Sequence, residues 1–298
     1  MNMNGETNHL SGDRENPGSQ NTPNHVILHP TAIVGKNARL GNHVEVGAYS
    51  IIGDDVVIGD HTVVMHHAVI DGNATIGKNC KIFPFSSIGT DPQDITFKGD
   101  LTVVEIGDNN IIREFTTINR GTTKGGGHTR IGNNNYLMAY THIAHDCQVG
   151  NYTQFVNGAT LAGHVEVEDY AVVGAFSSVH QFVRIGRNAY IGGYTIVLQD
   201  ILPFAKVSMT RDSYNFYGPN SIGMMRHGIS REFINNVKDI FRLLFNFDLN
   251  TTQAVEKIQK EFQNQEEARI IIDFINKTRR GFLKNFKSGQ VQAATMGQ

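Results

Sequence analysis

An aliphatic residue, or Phe155 in its place, recurs at every sixth position through most of this chain. The phase runs from Val34 to Ile88, resumes from Ile106 to Ile118, and continues without a miss from Ile131 to Val197. Neither a helix, with its period of about 3.6, nor an alternating strand, with its period of about 2, produces a repeat of six. The repeat predicts a parallel β-helix, in which each short strand buries one apolar side chain and three strands complete a coil of about eighteen residues.

Outside the repeat, the chain changes character at both ends. The first residues are polar and lack the features of a signal or transit peptide, so we predict a disordered tail. After about residue 204 the apolar spacing becomes helical, and Ser230 is a candidate N-cap for one helix. The predicted organisation is a disordered tail at 1–24, a β-helix at 25–204 interrupted by loops at 89–105 and 121–130, an α-helical domain at 205–287 and a second disordered tail at 288–298.

Composition narrows the functional class. A net charge of −2 gives no indication of a nucleic-acid partner, and no apolar run reaches the roughly 20 residues that span a bilayer. The two cysteines, Cys80 and Cys147, are too few for a disulfide framework and favour a reducing, cytoplasmic location. Residues 222–298 carry 12 basic against 8 acidic side chains, which favours an acidic partner for this part.

The segment THIAHDC, residues 141–147, combines two histidines, an aspartate and a cysteine. On a helix, His-x-x-His would suit zinc, but the repeat places this segment on a coil. Gly163 lies eighteen residues after His145, which is one coil further along, and His164 is its neighbour. The next coil brings His180 and Gln181 to the same edge. This alignment predicts a site, because strands of adjacent coils lie about 4.8 Å apart.

A neutral imidazole can accept a proton from a hydroxyl at physiological pH, so we predict His145 as a general base. Asp146 would hold its tautomer, and the backbone N–H of Gly163 would stabilise a developing oxyanion. No serine or cysteine is placed as a nucleophile, which favours direct acyl transfer. Cys147 is interpreted as a structural residue.

The segments HIAHDCQVGN, TLAGHV, SVHQF and PQD, together with GPN and a following arginine, resemble the UDP-N-acetylglucosamine O-acyltransferase family, whose reaction begins lipid A synthesis. The likeness extends from about residue 26 to 285. It implies an all-β solenoid, a left-handed parallel β-helix with a small α-helical C-terminal domain, assembled as a homotrimer. It also implies transfer of a 3-hydroxyacyl group from acyl carrier protein to the glucosamine 3-OH of UDP-N-acetylglucosamine, without a metal or cofactor.

The same resemblance implies roles for individual residues. His145, Asp146 and Gly163 would be catalytic. Residues implied to bind or shape the substrates are Gln93, Asp94, His142, His164, His180, Gln181, Gly193, Asn220 and Arg226.

Gly193 would form the floor of the acyl groove and leave room for a donor of about fourteen carbons. The competing interpretation is that its turn needs a positive φ.

Two departures from the family pattern bear on the acceptor. The first loop usually reads QDLK, whereas this chain has Thr96 in place of the lysine. A family His-Arg-Gly is here Asn119-Arg120-Gly121. N-acylation of a diamino analogue of the UDP-sugar is therefore an alternative function.

Three rival functions also fit part of the sequence. A sugar N-acyltransferase using acetyl-CoA shares the repeat, although the basic C-terminal part favours an acidic carrier protein. A hexapeptide-type zinc carbonic anhydrase would need three imidazoles on one metal, drawn from His142, His145, His164 and His180. A non-catalytic scaffold would tolerate loss of His145.

Overall fold

The computed structural model describes residues 25–210, 213–246 and 248–283. The predicted tails at 1–24 and 288–298 lie outside the described residues. Within the described part, none of the helices has the length and apolar character that crossing a bilayer requires.

Three parallel sheets form the faces of a prism, as the repeat predicts. Sheet A contains β1 Ile27–Leu28, β4 Glu45–Val46, β7 Val63–Val64, β10 Lys81–Ile82, β13 Ile111–Ile112, β16 Tyr136–Leu137, β19 Gln154–Phe155, β22 Val172–Val173, β25 Tyr190–Ile191, β27 Ala205–Thr210 and β28 Ser213–Pro219. Sheet B contains β2 Ile33–Val34, β5 Ile51–Ile52, β8 Val69–Ile70, β11 Ser87–Thr90, β14 Thr117–Asn119, β17 His142–Ile143, β20 Thr160–Leu161, β23 Ser178–Val179 and β26 Ile196–Val197. Sheet C contains β3 Arg39–Leu40, β6 Val57–Ile58, β9 Asn73–Ile76, β12 Val103–Ile106, β15 His128–Ile131, β18 Gln148–Val149, β21 Glu166–Val167 and β24 Arg184–Ile185.

The hexapeptide positions form the core of this prism. From Leu40 to Val197 every one of the repeating apolar residues is buried, and only the first, Val34, is partly exposed. A second column of small buried residues lies two positions earlier in each repeat, and Cys147 belongs to it. Cys147 is fully buried, and burial raises the pKa of its thiol to about 12, which favours a structural role. The predicted left-handed parallel β-helix with a helical C-terminal domain is confirmed.

Both insertions leave the prism at the same corner, between sheets B and C. Loop 1, residues 91–102, connects β11 to β12, and loop 2, residues 120–127, connects β14 to β15. Paired residues of neighbouring strands in sheet B are otherwise eighteen apart, as in His142 and Thr160. The loops lengthen this separation to 30 between Ser87 and Thr117, and to 25 between Thr117 and His142. Loop 2 is shorter than the predicted 121–130, because His128 already pairs with Val103 in sheet C.

The C-terminal domain begins with a hairpin rather than a helix. Strand β27 extends sheet A, with Lys206 paired to Tyr190, and β28 returns antiparallel to it. The helices that follow are α1 Ser221–Arg226, α2 Arg231–Leu244, α3 Thr251–Glu261 and α4 Glu266–Asn276. The Ser230 side chain accepts a hydrogen bond from the Phe233 N–H at 3.2 Å, which confirms the predicted N-cap of α2.

Candidate active site

His145 and Asp146 form the turn between β17 and β18, at the B–C corner where both loops leave the prism. Asp146 has φ of 62°, and His164 and Phe182 occupy the same left-handed position one and two coils later, with φ of 63° and 64°. The same left-handed position recurs at other turns of the prism, for example at Tyr152 and Tyr170, so the turn imposes it on residues of different types. The turn geometry therefore stacks Asp146, His164 and Phe182 in one column beside His145.

The Asp146 carboxylate is the buried centre of the site. It accepts hydrogen bonds from His145 Nδ1 at 2.8 Å, from the Thr122 backbone N–H at 2.8 Å and from the Thr122 hydroxyl at 2.6 Å. Burial raises the pKa of Asp146, but the hydrogen bonds from His145 and Thr122 outweigh this effect and the pKa is lowered. Asp146 is therefore an anion with its oxygens occupied at neutral pH.

Because Nδ1 of His145 is directed at this carboxylate, it carries the proton and leaves the Nε2 lone pair as an acceptor. The imidazole lies over Gly163. A Cβ built on Gly163 would be 2.5 Å from Cε1 and 2.8 Å from Nε2 of His145. Gly163 has no positive φ, so close approach of the ring is what requires glycine here.

The Gly163 N–H makes no hydrogen bond to any residue that the structure describes. It is therefore available as a donor beside the His145 ring. Together these two groups place a proton acceptor and an oxyanion donor at one turn. This pairing is the arrangement that acyl transfer to a hydroxyl requires.

His164 and His142 flank this turn. The His164 ring meets the His145 ring edge-on, with centroids 5.2 Å apart, and stacks on Phe182 at 4.4 Å. The Nδ1 of His142 lies 2.7 Å from the Thr117 hydroxyl. Burial lowers the pKa of both His142 and His164, so each imidazole is neutral near pH 7 and offers hydrogen bonds rather than charge.

His180 and Gln181 reach the same corner one coil further on, but they are less closely joined to it. His180 is exposed, and its Nδ1 lies 3.2 Å from the Gln181 carbonyl oxygen. That oxygen also accepts a hydrogen bond from Arg280 at 3.1 Å, which connects the end of the helical domain to this corner. Among the described residues, no hydrogen bond or ring contact joins His180 to the other predicted histidines.

Loop 1 carries the next two predicted residues. The Asp94 carboxylate accepts hydrogen bonds from the backbone N–H and the hydroxyl of Thr96, both at 2.8 Å. These bonds lower the pKa of Asp94, and the nearby charges of Lys124 and His145 act in the same direction. Gln93 is exposed on the same loop.

Three predicted residues lie away from this cluster. Gly193 is exposed in the turn between β25 and β26, at the A–B corner. Asn220 is buried and caps α1, accepting from the Gly223 N–H and donating to the Asn188 carbonyl oxygen. Arg226 is exposed in the last turn of α1. The contacts of Asn220 are those of a structural residue.

A metal ion must be considered, because His145, Asp146 and His164 each offer a ligand atom within 4.8 Å of the others. Asp146 already accepts three hydrogen bonds, one of them from Nδ1 of His145. A metal at this point would have to break that network. The donor set is therefore better suited to a hydrogen-bonded base than to zinc.

One groove of the described chain lies away from this corner. It measures about 650 Å³ and lies on the outer face of sheet C, where Glu105, Arg130, Glu166 and Arg187 line it with charge. Arg130 and Glu105 pair with each other at 2.6 Å. None of the predicted site histidines lines this groove. The groups that can transfer a proton and stabilise an oxyanion lie at the B–C corner and not in this groove.

Several residues of the site were not predicted from the sequence. Each is positioned by the insertions or by the left-handed turn column rather than by the simple eighteen-residue offset from His145. They are Thr117, Thr122, Lys124 and Phe182.

Comparison with known proteins adds independent findings. The C-terminal residues 200–283 match the family model "Udp N-acetylglucosamine O-acyltransferase; Domain 2", and residues 55–90 and 128–163 match the bacterial transferase hexapeptide model. Acyl-[acyl-carrier-protein]–UDP-N-acetylglucosamine O-acyltransferases are similar to this chain. The one from Stenotrophomonas maltophilia R551-3 is 43% identical over 263 residues, covering 88% of this chain and 100% of the relative. The one from Thiobacillus denitrificans is 45% identical over 259 residues, covering 87% of this chain and 100% of the relative.

Solved structures agree with these relatives. The UDP-N-acetylglucosamine acyltransferase of Francisella novicida matches with a TM-score of 0.85 and 39% identity, covering 91% of this chain and 99% of that one. The corresponding Acinetobacter baumannii structure matches with a TM-score of 0.83 and 38% identity, covering 87% of this chain and 100% of that one.

Proposed function

We propose, from the premise that this chain belongs to the acyl-[acyl-carrier-protein]–UDP-N-acetylglucosamine O-acyltransferase family, that His145 is the general base of its acyl transfer. The reaction moves a 3-hydroxyacyl group from acyl carrier protein to the glucosamine 3-OH of UDP-N-acetylglucosamine, in lipid A biosynthesis. The observation that carries the catalytic proposal is the Asp146–His145–Gly163 arrangement.

In this mechanism Nε2 of His145 takes the proton of the sugar hydroxyl as its oxygen attacks the thioester carbonyl. The new C–O bond forms, and the carbonyl oxygen becomes an oxyanion that the Gly163 N–H stabilises. The C–S bond then breaks, and His145 returns the proton to the leaving thiolate of the carrier. Asp146 holds the Nδ1–H tautomer and stabilises the transient imidazolium.

Around these three groups, His142, His164, His180 and Gln181 shape the cleft in our proposal. Gln93 and Asp94 contact the sugar from loop 1. The hydrogen bonds that connect Asp94 through Thr96 to Lys124 of loop 2 support its part in this assignment.

At the nucleotide and phosphate end we assign Arg226, whose side chain is exposed. The buried contacts of Asn220 support a different part for that residue, which is to hold α1 in position.

We further propose that the enzyme works as a homotrimer in the cytoplasm. On one chain the catalytic corner is open, and Ile95 and Leu101 of loop 1 are almost fully exposed beside it. A second copy that covered these side chains would also close the cleft. The unpaired state of the buried Cys80 and Cys147 supports a reducing compartment.

The function is tested by offering purified protein two acceptors with two donors. We expect ester formation from a 3-hydroxyacyl carrier-protein thioester on UDP-N-acetylglucosamine, and much weaker use of the matching CoA thioester because the basic C-terminal part steers an acidic carrier. Preference for the 3-amino analogue of the acceptor, with amide as product, would establish the N-acyltransferase alternative instead.

Donor chain length provides a second test, at Gly193. The positive φ of its turn belongs to Tyr194, at 56°, so the interpretation that Gly193 is present for its φ is wrong. A Cβ at this position would come within 3.2 Å of the Ala175 carbonyl oxygen and otherwise meet little, so a side chain fits with a small adjustment. Gly193 therefore supports the assignment as an open groove floor.

We expect the wild type to prefer a donor of about fourteen carbons, and Gly193→Met to shift the optimum to a donor shorter by several methylenes. Each methylene that fits an apolar groove is worth roughly 1–3 kcal/mol of discrimination, and the methionine would occupy the space of the chain's end. The measurement is kcat/KM over carrier-protein thioesters of graded length. An unchanged profile in the methionine variant would show that the groove ends elsewhere.

A further inference from the structure

Loop 2 reaches across to loop 1 through one lysine. Lys124 lies in the 3-10 helix Thr123–Gly125, and its ammonium donates a hydrogen bond to the Thr96 hydroxyl at 2.7 Å. The Thr96 hydroxyl in turn donates to the Asp94 carboxylate at 2.8 Å. A continuous chain of hydrogen bonds therefore runs from Lys124 through Thr96 to Asp94.

The other side of loop 2 rests on the catalytic carboxylate. Thr122 holds Asp146 with its N–H and hydroxyl, and a Cβ placed on Gly125 would overlap the Asp146 carboxylate at 2.1 to 2.3 Å. The backbone that carries Lys124 is thus fixed directly against Asp146. Loop 2 connects the general-base pair to the loop that carries Asp94.

The charges at this corner give the lysine a second consequence. Loop 1 carries Asp91, Asp94 and Asp100, and a UDP-sugar brings a negatively charged diphosphate of its own. Arg120 is already paired with Asp91 at 2.6 Å. Lys124 forms no ion pair with a carboxylate within the described residues, and a lysine ammonium has three donors. Its remaining donors are exposed to solvent and free for an anion.

We propose that Lys124 is an acceptor-positioning residue: its ammonium fixes loop 1 and Asp94 against the His145 corner and offsets the negative charge of the UDP-sugar. The inference rests on the proposed function. It also accounts for the missing lysine of the first loop, because the cation that position 96 lacks is supplied at Thr96 from position 124.

The test is the acceptor KM of Lys124→Met. We expect it to rise roughly tenfold, the scale of one charge-assisted hydrogen bond, with kcat and the donor KM unchanged. Lys124→Arg should keep most of the wild-type KM. In the double variant Lys124→Met/Thr96→Lys, the new lysine at position 96 supplies the positive charge lost at position 124. This variant should restore acceptor binding. The matched control is Lys98→Met, which removes a lysine of loop 1. Lys98 makes no hydrogen bond or ion pair among the described residues, so its removal should leave KM unchanged.

Wild-type transfer to UDP-N-acetylglucosamine is measured first, because its absence would overturn the proposed function and this inference with it. If the wild type is active and Lys124→Met keeps its acceptor KM, only the role of Lys124 is refuted. Failure of Thr96→Lys to rescue a correctly folded double variant would also refute it. Thermal unfolding of each variant separates loss of folding from loss of binding.

Discussion

Replacing His145 with alanine is expected to lower kcat by roughly 10² to 10⁴, the usual contribution of a general base. The side chain is only 15% exposed, but its ring packs on the corner rather than in the core, so folding should survive the change. Removal of the ring takes away the Nε2 acceptor and leaves Asp146 with the hydrogen bonds from Thr122. The loss should therefore appear in the chemical step and not in stability.

Single-turnover measurement with a saturating carrier-protein thioester isolates that step. The control is His43→Ala, which removes an exposed imidazole that stacks on His61 at a different corner of the prism. It should leave kcat unchanged. A His145→Ala variant that folds and turns over at the wild-type rate would rule out the general-base mechanism and favour the non-catalytic scaffold.

Substitution of Gly163 with alanine is expected to lower kcat by a factor of about 10². A displacement of a reacting group by about 1 Å typically has an effect of this size. The added methyl would come within 2.5 Å of His145 Cε1, so the imidazole must move from its place between Asp146 and the acceptor. The backbone N–H remains, and φ is not a constraint, so the effect should act through the position of the ring.

A double-mutant cycle tests that route. If the methyl acts by displacing the imidazole, Gly163→Ala should add little to the defect of His145→Ala, because the displaced group is already gone. Equal effects of Gly163→Ala in the presence and absence of His145 would show that the methyl damages the oxyanion site instead. The cycle thus separates the two roles assigned to this turn.

Much of the catalytic corner follows from counting along the sequence. The contact of the His145 ring with Gly163 and His164 follows from the coil length, and the structure confirms both neighbours. Thr122 was not found, because loop 2 lengthens its coil and removes the simple offset from Asp146. For the same reason the contact between Lys124 and Thr96 has no signature in the spacing.

Asn220 illustrates a different limit. Its place in a family-like segment predicted a substrate contact, whereas the folded chain uses its side chain to cap α1 and to hold Asn188. From sequence alone, a polar residue next to a helix start can be either a substrate ligand or a helix cap. Only the packing of α1 against the last coils distinguishes the two roles.

The sequence by itself determined the β-helix, since one buried apolar residue per short strand is a local requirement that every coil repeats. It also determined which turn carries His145 and Asp146. Only the tertiary structure decided how loops 1 and 2, leaving the same corner, close on Asp146 and join Lys124 to Asp94 through Thr96. Those contacts are hydrogen bonds between irregular segments far apart in the chain, and no periodic burial specifies them.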